Sequence, residues 1–265
     1  MPKARINNAD LFYQVQGKGE PLLLIAGFAC DHTIWALVTA QLAASYQVIA
    51  IDNRGMGQSN GADKAVTLRQ MAEDAAGLLD TLGLSSAHVA GHSMGGLIAQ
   101  ELALAHPEKV RSLMLVSSGA QTDPRGKAII ELWGELPRLV DPLTMTRILL
   151  PWMYTSNFYS TPGALEKLMK QIMANPYPPS ADAIYGQSRA ISNANTIDRL
   201  ANINCPTLVL VGSDDILLPI GSSKQLARGI RNARLVILEK TGHVLLIESP
   251  EVVAQTLLDF MKQTT

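Results

Sequence analysis

Short apolar runs recur along the chain at 22–26, 47–51, 88–90 with its neighbours, 113–116, 207–211 and 235–238. They are rich in Val, Ile and Leu with little polar alternation, which predicts strands covered on both faces, as in a parallel sheet. Segments with apolar residues at helical spacing lie between them, at 34–43, 68–82, 95–105, 222–229 and 250–261. Strand and helix taking turns at this interval predict an α/β layered domain with right-handed crossovers. The stretch 5–16 alternates apolar and polar residues instead, predicting an antiparallel hairpin at the sheet edge.

The rhythm breaks between residues 120 and 200. This portion holds Trp133, Trp152, Tyr154, Phe158, Tyr159, Tyr177 and Tyr185, and the run NPYPPS at 175–180, without a strand pattern. It reads as a helical insertion after one sheet strand, with helices at 126–136, 142–150, 163–174 and 180–193. Asp141-Pro142 has the cap-then-proline order of a helix start. A chain of 265 residues is near the upper end for one domain. The predicted organisation is therefore one core domain, 1–120 and 200–265, carrying a helical cap at 121–199.

Lys and Arg number 22 against 23 Asp and Glu, and no basic cluster is dense enough to track a phosphate backbone, so nucleic acid is not an expected partner. Cys30 and Cys205 are the only cysteines, which excludes a disulfide framework or a four-thiolate metal site by counting. No apolar stretch approaches the roughly 18 to 20 residues of a bilayer crossing, and MPKARINNAD lacks the apolar core of a secretory signal. The expectation is a cytoplasmic protein without integral membrane association, compatible with a homo-oligomer.

Chemistry concentrates at Gly91-His92-Ser93-Met94-Gly95, which matches G-x-S-x-G between a strand-like run and a helix-like one. A tight strand-to-helix turn holds its nucleophile in a strained conformation, so its neighbours must be small; Gly91, Gly95 and Gly96 meet that demand. The backbone N–H of Met94, at the start of the helix, is positioned as an oxyanion donor. A serine hydroxyl needs a base, normally an imidazole oriented by a carboxylate. Of five histidines, His32 lies in a loop, His88 in a strand, and His106 at a helix end. His92 adjoins Ser93 but is expected to leave the turn in another direction. His243, in TGHVLL after the last strand run, remains as the base. The strand run at 207–211 is followed by Asp214 and Asp215; Asp215 is the preferred orienter, because Asp214 can hydrogen-bond within the turn. The second oxyanion donor is expected in the loop after the first central strand, at the N–H of Phe28. Cys30, in the same loop, reads as a small buried hydrophobe.

The ordered set LLLIAGFACDHTIW, DNRGMGQS at 52–59, GHSMGG, GSDDILLP and TGHVLLIESP resembles the α/β-hydrolase superfamily of esterases, lactonases and cofactor-free haloperoxidases. The resemblance spans about residues 11–260, the insertion apart. It implies an α/β-hydrolase fold, with a mostly parallel central sheet, helices on both faces and an inserted helical cap. It aligns Asp215, four residues before Pro219, with the family's acid. The chain departs at Ala26 and Met56, where members carry histidine, so one bond that orders the oxyanion loop is expected to be missing. The insertion resembles the family's lid, which implies that Trp152, Met153, Tyr154, Phe158 and Tyr159 wall the substrate pocket. In overall character the chain resembles small-molecule carboxylesterases and enol-lactone hydrolases. For a small dianion Arg125, Arg138, Arg147 and Arg189 are candidates.

The expected function is a serine hydrolase that cleaves a small, largely apolar ester or lactone through an acyl-enzyme, with no metal or organic cofactor. The same residues suit carbon–carbon bond hydrolysis or cofactor-free perhydrolysis. A ligand-binding or signalling module that keeps the fold is the alternative of a different class.

Overall fold

The computed structural model describes residues 2–61 and 64–264. Its strands are β1 (Lys3–Ile6), β2 (Ala9–Gln16), β3 (Glu20–Ile25), β4 (Tyr46–Ile51), β5 (Ala87–His92), β6 (Val110–Val116), β7 (Thr207–Gly212) and β8 (Arg234–Leu238). They form one sheet in the order β1-β2-β4-β3-β5-β6-β7-β8. Every pair from β4 to β8 across the sheet is parallel. β1 and β2 make the antiparallel hairpin at one edge, and β2 joins β4 antiparallel. Their turn is Asn7-Asn8, with φ of 45° and 63°, a left-handed geometry that asparagine tolerates.

Both faces of the parallel strands are apolar, as their sequences require. Leu23, Ile25, Val89, Leu113, Leu115 and Val209 face one layer, which contains α2 (Leu68–Thr81) and α3 (Met94–Ala105). Their neighbours Leu22, Leu24, Ala90, Met114, Leu208 and Leu210 face the other, with α1 (Ala36–Leu42) and α11 (Pro250–Lys262). The side-chain period of two thus fills two cores with alternate residues of one strand.

Five helices lie between β6 and β7: α4 (Pro124–Leu139), α5 (Pro142–Met153), α6 (Ser156–Ser160), α7 (Ala164–Met173) and α8 (Ala181–Ser192). Asp123, Asp141, Thr155 and Ser180 cap four of them by accepting hydrogen bonds from first-turn amides. Two cap helices outrun the sequence expectation. α5 passes Pro151, and α4 passes Pro137. Each proline sits in the last turn, where its missing N–H removes one ladder bond. The Tyr154 N–H to Leu150 bond (3.2 Å) and the Val140 N–H to Leu136 bond (3.0 Å) span those turns. α6 and α10 (Leu245–Glu248) were not expected from the sequence; segments of one turn are too short to show a period. The remaining helix, α9 (Ile220–Gly229), follows β7. No helix among the described residues is long and apolar enough to cross a membrane.

Parallel pairing brings the carboxyl ends of β3, β5, β7 and β8 to one edge of the sheet. The loops that leave those four ends carry Phe28, Ser93, Asp215 and His243.

Candidate active site

Ser93 occupies the turn between β5 and α3 with φ 54° and ψ −117°, a conformation that L-residues rarely adopt. The glycines around it explain how the chain tolerates this. A Cβ at Gly91 would lie 2.2 Å from the Gly95 carbonyl oxygen, and one at Gly95 would lie 2.2 Å from that of Ile25. The Ser93 N–H donates to the Val116 carbonyl (2.9 Å), and its own carbonyl accepts from Gly96 N–H and Ser118 Oγ (both 2.9 Å). Met94 is the first residue of α3, so its N–H has no intrahelical acceptor.

Asp215 is 4% exposed and held on both oxygens. Oδ1 accepts the amides of Leu217 (3.0 Å) and Leu218 (2.8 Å), while Oδ2 accepts Nδ1–H of His243 at 2.8 Å. This fixes the imidazole tautomer and leaves Nε2 as the basic nitrogen. Asp214 is exposed and its Oδ1 accepts from Ser213 Oγ at 2.7 Å, within the turn. Ser93, His243, Met94 and Phe28 line one cavity of about 780 Å³. No hydrogen bond joins Ser93 Oγ to the His243 ring among the described residues.

His92 does not turn away from the site, contrary to the sequence expectation. It lines the same cavity, and its Nε2–H donates to the backbone carbonyl of His243 at 3.0 Å, so the residue before Ser93 braces the loop that carries His243. Burial and then the neighbouring His243 push the His92 ring down to about 3. The other histidines have local partners: His32 with Asp52, His88 with Ser112, His106 with Glu73. Burial pushes the Cys30 thiol up to about 12, which suits packing and not nucleophilic chemistry.

The cap wall differs from the expected one. Of Trp152, Met153, Tyr154, Phe158 and Tyr159, only Met153 lines the cavity. Trp152 stands edge-on to Trp133 (6.4 Å between ring centres), and it is Trp133 that reaches the cavity. Tyr154 and Phe158 stack at 4.4 Å in a separate cluster with Leu168 and Val244. Tyr159 borders a different groove, beside Arg147. A helical period marks which residues are apolar but not which neighbour each one meets, and here the Tyr154–Phe158 cluster reaches the core at Val244. The arginines expected for a dianion also lie elsewhere: Arg138 pairs with Asp182, Arg189 with Glu131, and Arg125 donates to the Ile216 carbonyl. Arg228, on α9, is the arginine on the cavity lining.

Asn53 and Gln187 were not singled out from the sequence, although both hold the loop after β3. Asn53 Nδ2 donates to the Ala26 carbonyl (3.0 Å), and Gln187 Oε1 accepts the Ala29 N–H (2.9 Å). Glu248 was not singled out either. Its carboxylate accepts from Thr155 N–H (3.2 Å) and Thr155 Oγ (2.6 Å), tying the cap to the segment after His243. Nothing local marks these residues, since their partners are remote in sequence. One group of potential metal ligands occurs among the described residues, Asp31, His32 and Asp52. Hydrogen bonds from His32, Gln58 and Asn175 already occupy its carboxylates.

A strained serine, an acid-held imidazole and free helix-start amides around one apolar cavity are equipped for attack on a carbonyl carbon. Residues 20–250 match the family model described as alpha/beta hydrolase fold. A protein named "Putative carbamate hydrolase RutD", from Azorhizobium caulinodans, is 34% identical over 261 residues, covering 98% of both chains. A thermophilic esterase from Thermogutta terrifontis superposes with a TM-score of 0.88 at 29% identity, covering 99% of this chain and 98% of the other. The enol-lactonase from Burkholderia xenovorans LB400 does so with a TM-score of 0.90 at 25% identity, covering 98% of this chain and 100% of that one.

Proposed function

The chain belongs to the alpha/beta hydrolase fold family, and from that premise we propose that it is a serine hydrolase acting on small, largely apolar carboxylic esters or lactones. The observation that carries the proposal is the Asp215–His243 pair ending in the cavity that also holds Ser93 at its strained turn. Ser93 Oγ attacks the carbonyl carbon as its proton passes to His243 Nε2. The carbonyl electron pair moves to oxygen, where the amides of Met94 and Phe28 donate to it. Collapse breaks the bond to the leaving oxygen, which takes the proton from Nε2. Water then gives a proton to Nε2 and attacks the acyl-enzyme, and the second collapse returns the proton to Ser93.

The lining supports this substrate class. Leu97, Ile130, Trp133 and Leu217 are among the apolar side chains that line the cavity. A carbamate has the same carbonyl geometry, and the 34% identity to the RutD protein favours it as a second reading. Labelling with a fluorophosphonate at pH 8, followed by a panel of aryl esters, lactones and carbamates, tests both. The expected result is stoichiometric labelling of the wild type, none of Ser93→Ala, and turnover highest on esters or lactones. Turnover confined to carbamates selects the second reading. A folded wild-type protein that takes no label is a ligand-binding module.

A further inference from the structure

We propose that Gln187, on cap helix α8, is a positioning residue for the oxyanion-binding amide of Phe28, so that seating of the cap sets the catalytic power of the site. The inference rests on the serine-hydrolase reading above.

The loop after β3 makes a tight turn in which Cys30 N–H donates to the Gly27 carbonyl (3.4 Å). That carbonyl and the Phe28 N–H belong to one planar peptide and point in opposite directions. With the carbonyl committed to the turn, the N–H faces outward. The turn lies against the nucleophile: a Cβ placed on Gly27 would fall 3.3 Å from Ser93 Cβ and 3.1 Å from His92 Nδ1. The direction of the Phe28 N–H therefore depends on how firmly the two flanking peptides are held.

Both are held from outside the loop. The preceding one is fixed through the Ala26 carbonyl by Asn53, and the following one through the Ala29 N–H by Gln187. The second restraint carries more, because Ala29 sits at φ 55°. Glycine or asparagine is the usual occupant of a left-handed turn position, and alanine has no intrinsic preference for it. The bond to Gln187 crosses 158 positions of sequence, from cap to core. Gln187 is fully buried, and its Nε2 has no hydrogen-bond partner among the described residues. A site kept for packing alone would favour an apolar residue over an amide with an unmade donor. The Oε1 bond to Ala29 is what the amide supplies.

The test compares wild type with Gln187→Met, which keeps the side-chain volume and removes the acceptor. Gln187→Asn, too short to reach Ala29, serves if the methionine variant melts below the assay temperature. Asp182→Asn perturbs the exposed ion pairs of the same helix and is the control. Two quantities are read: the rate constant for phosphonylation of Ser93 by a fluorophosphonate, and the inhibition constant of an aryl trifluoromethyl ketone, whose adduct carries an oxyanion. Both are expected to worsen together by about tenfold to a hundredfold in the Gln187 variants, with KM for an ester nearly unchanged and the control at wild-type values. Wild-type values in a folded Gln187 variant, or losses that track only the unfolded fraction, overturn the inference. Absence of phosphonylation in the wild type instead overturns the serine-hydrolase reading, and this inference with it.

Discussion

At the residue scale, two adjacent acids have different surroundings and so different expected consequences. Asp215 is buried with both oxygens engaged, whereas Asp214 is exposed and bonds within its turn. Asp215→Asn is expected to lower kcat by about 10³- to 10⁴-fold, because the amide presents the wrong hydrogen-bonding pattern to His243. Asp214→Asn stays within about twofold. Steady-state kinetics on one aryl ester check both. His92 makes a second prediction through stability. Its folded value of about 3 lies below its ordinary 6.5, so between these limits the unfolded chain binds the extra proton. Its contribution is fully present above pH 6.5 and is lost as pH falls towards 3, with a slope of up to about 1.4 kcal/mol per pH unit. Urea denaturation at pH 7 and pH 5 is expected to show this loss, and His92→Gln flattens it.

The element scale explains why the serine sits where it does. β5 lies between β3 and β6 in the sheet, and α3 packs against the sheet immediately after it. The turn between them has no room for a side chain at Gly95, whose Cβ would meet the backbone oxygens of Ile25 and Ala26 at 2.2 and 2.8 Å. Backbone cannot step aside as a flexible side chain does. Gly95→Ala is expected to destabilise the fold by about 1–3 kcal/mol and to lower labelling of Ser93 even where the protein remains folded. Thermal melting and fluorophosphonate labelling, measured on one preparation, separate the two effects. Gly221, with open space at its Cβ position and no left-handed φ, is a contrasting glycine.

At the scale of the whole molecule, cap and core meet at two loops that line the cavity. Gln187 reaches the loop after β3, and the segment around His243 is tied to the cap by two features. Val244 N–H donates to the Met153 carbonyl (3.2 Å), and Glu248 accepts from Thr155. Burial raises the Glu248 carboxyl above its ordinary range. Glu248→Ala removes an acceptor from two Thr155 donors and is expected to lose about 1–3 kcal/mol locally. The measurement is hydrogen exchange: faster exchange in α5 and α6, with β5 and β6 unchanged. Uniform loss of protection across the sheet would mean that Glu248 supports the whole core and not the cap junction.

Much of this architecture was legible in the chain. The parallel strands were readable because both their faces are buried, which forces continuous apolar runs. The turn at Ser93 was readable because its geometry admits only small neighbours. Asp215 and His243 stood out as candidates because each lies within a few residues of a strand's carboxyl end, and parallel strands deliver their ends to one edge. These are local or periodic demands, written in consecutive residues. The tertiary structure alone decided which cap side chains face the cavity, placing Trp133 there and leaving Tyr154 and Phe158 stacked on each other. It alone turned His92 towards His243 and brought Asn53, Gln187 and Glu248 to the loops around the site. The contacts of Asn53, Glu248, His92 and Gln187 join residues 27 to 158 positions apart and depend on how packed helices are set against the sheet. A helix period fixes which face is apolar, but the partner of any one side chain is fixed only when the layers close.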